Sequence, residues 1–111
     1  MADKDYSPFI VWLDSPEEST INLFDDKMAS YASIFRELNR EGNGYDWAAV
    51  ARTLNEMIPN FKKGAIRFNP EADMLSIYGP QKRIKILANE LQAISQNPLA
   101  LAKIIQRSEI D

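Results

Sequence analysis

The chain has 111 residues, a formal net charge of −3, 45% hydrophobic and 26% charged residues, and neither cysteine nor histidine. That balance fits one ordinary globular domain over residues 1–111, not a disordered or membrane-spanning chain. The missing residue types exclude disulfides, thiolate nucleophiles, Ser-His-Asp and Cys-His catalytic sets and the usual zinc sites.

The charged start, Met1 to Asp5, leads into an apolar run from Phe9 to Leu13. The run is too short for a signal-peptide core, and no stretch approaches the ~18 apolar residues of a membrane span. The expectation is a cytoplasmic protein with no membrane partner. In Phe9-Ile10-Val11-Trp12-Leu13 both alternating sets are apolar. This predicts a central strand covered on both faces, with Trp12 buried. Asp14-Ser15-Pro16-Glu17-Glu18 carries a capping-box pattern, but Thr20-Ile21-Asn22-Leu23-Phe24 then alternates like a strand. An acidic turn followed by a second strand is the reading.

From Asp25 to Asn39, Met28, Tyr31, Ala32, Phe35 and Leu38 recur at helical steps and make one apolar stripe, which predicts a helix. Gly42 is placed to end it in a left-handed conformation. Asn43-Gly44 is a turn pair, Asp46 is a candidate N-cap, and Tyr45 with Val50 fits a hydrophobic staple. The next helix runs from about Trp47 to Met57 and stops before Pro59-Asn60, since the residue before a proline disfavours the helical region. Ala65–Phe68 and Met74–Tyr78 read as a hairpin joined by Asn69-Pro70-Glu71-Ala72-Asp73. Ile66, Phe68, Leu75 and Ile77 share its inner side. Gly79-Pro80 opens a third helix, and Asn97-Pro98 caps a fourth that runs to about Gln106. The fold class is therefore α+β, an antiparallel sheet of about four strands in the order ββααββαα, packed against helices.

The residues that gave this pattern also resemble a known family. Glu41-Gly42-Asn43-Gly44-Tyr45-Asp46-Trp47 is similar to a signature of the Immunity protein 51 family, found beside bacterial polymorphic toxins. Pro8-Phe9-Ile10-Val11-Trp12 resembles its opening strand, and Tyr31 and Phe35 resemble the aromatic positions before the glycine motif. Phe68-Asn69-Pro70-Glu71-Ala72-Asp73-Met74 resembles its F-D-P-E-A-x-M hairpin, with Asn69 in place of aspartate. Both residues cap turns, so the departure is mild. The resemblance spans roughly Pro8 to Leu87. It implies a non-catalytic protein that binds a cognate toxin and protects the producing cell, with no cofactor and no metal.

Candidate sites follow from the residues. Residues 1–26 hold seven acids and one lysine, a balance of −6, against +3 for the remainder. Asp14, Glu17, Glu18, Asp25 and Asp26 are the candidate toxin-binding set, since a toxin acting on nucleic acid presents an electropositive groove. Gly42, Asn43, Gly44, Tyr45, Asp46 and Trp47 read as a structural joint, each residue already having a conformational task. The run lacks the spacing and terminal Lys-Ser/Thr of a phosphate loop. Lys62, Lys63, Lys82, Arg83 and Lys85 interleave poorly with aromatics and read as a solvated face, not a nucleic-acid site. Trp47 reads as buried. The competing functions are a small adaptor subunit and a carboxylate enzyme using Asp46, Glu71 or Asp73. The toxin's identity and the oligomeric state are left open by the sequence.

Overall fold

The computed structural model describes residues 5–59, 62 and 64–108. Strands β1 (Ile10–Trp12), β2 (Ser19–Phe24), β3 (Arg67–Glu71) and β4 (Met74–Gly79) form one antiparallel sheet in the order β1-β2-β4-β3. Helices α1 (Asp25–Met28) and α2 (Ala32–Glu37) are joined by a 3-10 turn, Ala29–Tyr31; α3 (Gly44–Met57), α4 (Gln81–Ser95) and α5 (Pro98–Arg107) follow. With α1, the 3-10 turn and α2 taken as one interrupted helical stretch, the order is ββααββαα, the α+β domain that the sequence pattern predicts.

Period-two alternation in β2 and β4 decides which way the sheet faces. Ile21 and Leu23 on β2 sit opposite Ile77 and Leu75 on β4, and all four are at most 1% exposed. Phe68 pairs with Ile77, and Val11 with Ile21, and both pack against the same cluster. α3 and α4 lie side by side on this face and α5 packs on both. Their apolar stripes close the core through Val50, Leu54, Ile84, Leu87, Leu91 and Leu101. One-sided burial of this kind is the ordinary outcome for an antiparallel sheet.

Several expectations change at the level of single elements. The Phe9–Leu13 run is not a central strand covered on both faces. β1 is a three-residue edge strand paired only with β2, and Trp12 is 52% exposed, not buried. Phe9 is the fully buried residue of the run, edge-on to Trp47 at 5.8 Å, while Val11 packs half-buried against the core. The Asp25–Asn39 helix is interrupted, and the 3-10 turn brings Tyr31 against Trp47, 5.5 Å between centroids. The stretch ends at Glu37, and the left-handed residue that closes it is Asn39, not Gly42: Asn39 has φ +62, its N–H donates to Arg36 O, and Arg40 N–H donates to Phe35 O. That is the Schellman pattern with asparagine in the left-handed position. The first hairpin strand is displaced toward the turn: β3 begins at Arg67, not Ala65, and runs to Glu71, leaving Ile66 buried ahead of the strand and only Ala72 and Asp73 between β3 and β4. Pro70 lies within β3, which its edge position allows, since an edge strand needs no donor on its outer side. The acidic turn before β2 is as expected, and Ser15 caps no helix. Its hydroxyl accepts from Glu18 N–H in the acidic turn, 3.1 Å.

Candidate protein-interaction surface

The glycine motif is built as a joint. α3 starts at Gly44, three residues before the expected Trp47, and its N-cap is Asn43, not Asp46. Asn43 Oδ1 accepts from Asp46 N–H at 3.0 Å, while Asp46 Oδ2 accepts from Gly42 N–H at 2.6 Å and Asn43 N–H at 3.4 Å. The two side chains therefore cap each other's backbone, a reciprocal box that satisfies donors left over at a helix start. A further donor, Gly44 N–H, reaches Ala72 O in the hairpin turn at 3.3 Å. Any Cβ on Gly44 would overlap the carbonyl oxygens of Glu71 and Met74. Glycine is there because the helix start rests directly on hairpin backbone. Tyr45 sits in the first helical turn, 47% exposed, so the expected staple before the cap does not form. Trp47 is fully buried among Phe9, Tyr31 and Phe35. Among the described residues its Nε1 meets no hydrogen-bond partner.

The five acids of the candidate set are all exposed, but they do not gather in one cluster. Asp14, Glu17 and Glu18 precede β2, and Asp25 and Asp26 follow it. A six-residue strand separates the two groups, a distance of roughly 20 Å. Glu18 forms an ion pair with Arg67, both partners more than half exposed. Arg67 also lies over the Tyr78 ring, 5.6 Å from its centroid.

Between the two acidic groups lies the face of the sheet that the helices do not cover. Register places Trp12, Thr20, Tyr78 and Arg67 in one row, and Ile10, Asn22, Ser76 and Asn69 in the next. Phe24, Met74 and Glu71 make a third. None of these residues belongs to the core cluster. Trp12 and Ile10 are 52% and 43% exposed, and Phe24, Met74 and Tyr78 are half-buried. Thr20, Asn22 and Ser76 lie buried between them, with Ser76 Oγ donating to Asn22 Oδ1 at 2.8 Å. Sequence reasoning missed this face. The signal was cross-strand: polar Thr20 and Asn22 on β2 mark a face outside the core, and strand partners share a face.

The remaining candidates are placed as follows. Lys62, Lys82 and Lys85 are exposed, and Lys63 lies outside the described residues. Arg83 is not a solvated residue. Its guanidinium donates to Asn55 Oδ1 (3.0 Å), Asn55 O (2.6 Å) and Pro59 O (2.7 Å), closing the end of α3. Asp46 is committed to capping, and Glu71 and Asp73 are exposed on the hairpin. An open depression of about 300 Å³ beside Asp46 is lined by Asn39, Arg40, Glu41, Asn43 and Tyr45. Among the described residues no group of acids has the geometry to hold a metal ion, and no helix is long and apolar enough to cross a membrane.

Comparison with known proteins agrees with the resemblance and extends it. No curated protein and no solved structure gives a significant match. The family model of Immunity protein 51 matches residues 9–110, reaching past Leu87 through both C-terminal helices. Such proteins are non-catalytic inhibitors in polymorphic toxin systems. With the glycine joint, the hairpin and the closing helices all inside the matched span, this chain belongs to the Immunity protein 51 family.

Proposed function

We propose that the protein binds one cognate toxin in the cytoplasm of the producing cell and neutralises it stoichiometrically, by covering toxin surface. The family match over residues 9–110 carries this reading. The geometry supports it: the motif residues are spent on capping and packing, whereas aromatic and acidic side chains stand unused on the outside. Asp14, Glu17, Glu18, Asp25 and Asp26 are the proposed toxin-facing acids, suited to an electropositive groove of a toxin that acts on nucleic acid. Rim charges of this kind chiefly speed encounter and select the partner. A cytoplasmic site of action is consistent with the apolar run after Pro8 being used as strand β1 and core residue Phe9.

Affinity capture with the tagged protein in its native strain, followed by a rescue assay, tests the reading. The captured polypeptide should arrest growth when expressed alone, and co-expression should restore growth and yield a complex of fixed stoichiometry. A captured protein without toxicity would point to an adaptor role, and recovery from the periplasmic fraction would refute the proposed location.

A further inference from the structure

The open face of the sheet presents side chains that the fold does not use. An antiparallel sheet can leave one face to water, and that face is then normally polar. Here Trp12 and Ile10 project with 52% and 43% of their surfaces exposed. Beside them Phe24 and Tyr78 are half-buried, and the small polar pair Asn22 and Ser76 forms a low floor between the strands. Tryptophan is the residue most enriched at binding hot spots, and large exposed apolar patches mark interaction sites.

Charge indicates what covers the face. The one cation among the described residues of its three rows, Arg67, is paired with Glu18 and stacked on Tyr78. Asp14 and Glu17 are exposed in the turn before β2, and Asp25 and Asp26 are exposed beyond its other end. A second copy stacked on this face would bring acidic ends against acidic ends, which disfavours self-association. A basic protein surface is favoured for the same reason. Size ties the acids to the face. Six residues of β2 and four strands cover roughly 20 by 15 Å, about 300 Å². An ordinary complex buries about 800 Å² on each partner. The footprint must therefore spill over the ends of the strands, where the acids are.

We propose that the toxin docks on this open sheet face, with Trp12 and Ile10 entering an apolar depression bracketed by basic side chains, which meet Asp14 and Glu17 at one end and Asp25 and Asp26 at the other. The proposal rests on the immunity reading above and adds the surface and the chemistry of the partner.

The test measures affinity for the toxin recovered by capture and validated by rescue. Trp12→Ala and Ile10→Lys should each weaken binding by about 30-fold or more, the range of a hot-spot residue. Leu99→Ala on α5 and Met57→Ala at the end of α3 remove exposed apolar groups from the helical side and should bind within about threefold of the unaltered protein. Ile10→Lys serves alongside Trp12→Ala because it keeps a long side chain on an edge strand, where lysine is well tolerated. Thermal unfolding of each variant confirms the fold. If the unaltered protein binds and rescues while both β1 variants bind equally well, the docking face is wrong and the immunity reading stands. The same holds if Trp12→Ala only dissociates a homodimer. If capture yields no polypeptide that the unaltered protein binds and whose toxicity it relieves, both readings fall.

Discussion

Gly44 shows how one missing Cβ fixes the relation between a helix and a hairpin. The carbonyls of Glu71 and Met74 occupy the space that any side chain would need, and they are backbone atoms that cannot rotate away. Gly44→Ala should therefore destabilise the protein by on the order of 3 kcal/mol or more, the upper range of overpacking effects, read as a lower urea midpoint. Asp46 acts two residues later, in the same first turn. Removing its carboxylate strips acceptors from the buried Gly42 N–H and from Asn43 N–H. Asp46→Ala should cost about 2–3 kcal/mol, since a charged acceptor and a helix cap are lost together. Asp46→Asn should recover part of that in the same urea titration, because an amide oxygen still accepts. The sequence showed that residues 41–47 form a joint, but not which residue caps. Asn43 and Asp46 are equally good N-caps by type, and the box uses both. Likewise Asn39 and Gly42 can each take positive φ, and both do; only the stripe's last buried residue, Phe35, shows which one ends the helix.

At the scale of elements, the long helices were readable because three- and four-residue spacing survives any tertiary arrangement. α4 buries Ile84, Leu87, Ala88, Leu91 and Ile94, the stripe that its periodicity gives. α5 begins with the expected Asn97 cap, whose Oδ1 accepts from Ala100 N–H at 3.2 Å. Strand order was not readable, because pairing is a long-range choice. An apolar run of five residues looks the same whether it ends at the edge or in the centre. The end of α3 falls at Met57 as expected, but the group that closes it was hidden, since that partner is 28 residues away in sequence. Arg83 supplies donors to the carbonyls of Asn55 and Pro59 at the helix end, where the last carbonyls lack a full set of helical partners, and a planar guanidinium can reach several at once. Arg83→Met keeps the stem's bulk and loses the fork. It should lower stability by about 2–3 kcal/mol, and Arg83→Lys should recover less than half, because one ammonium cannot replace the fork. Hydrogen exchange adds a local readout. The amides in the last turn of α3 should exchange faster in Arg83→Met than those of α4, a difference that a uniform loss of stability would not produce.

For the whole molecule, the sequence's charge asymmetry takes on a shape. Five of the seven acids of residues 1–26, Asp14, Glu17, Glu18, Asp25 and Asp26, stand at the two ends of β2 and not in a single spot. Composition reveals the imbalance, whereas only the strand's direction reveals that its two halves bracket a face. The consequence is kinetic. Exposed rim charges contribute little to the strength of a formed complex but raise the rate of encounter with an oppositely charged partner, in a salt-dependent way. Asp14 and Glu17 are the residues to reverse. Glu18 is less informative because its loss would also release Arg67 from its ion pair. Asp14→Lys with Glu17→Lys should slow association with the toxin on the order of tenfold at low salt and flatten the dependence of that rate on ionic strength. Dissociation should change far less, because the apolar centre formed by Trp12 and Ile10 would still be buried. Trp12→Ala should show the opposite division, with a faster off-rate and an unchanged salt slope. Stopped-flow mixing across a salt series separates the two. An association rate that ignores the reversal would remove the acids from the encounter while leaving the Trp12 contact to stand on its own affinity data.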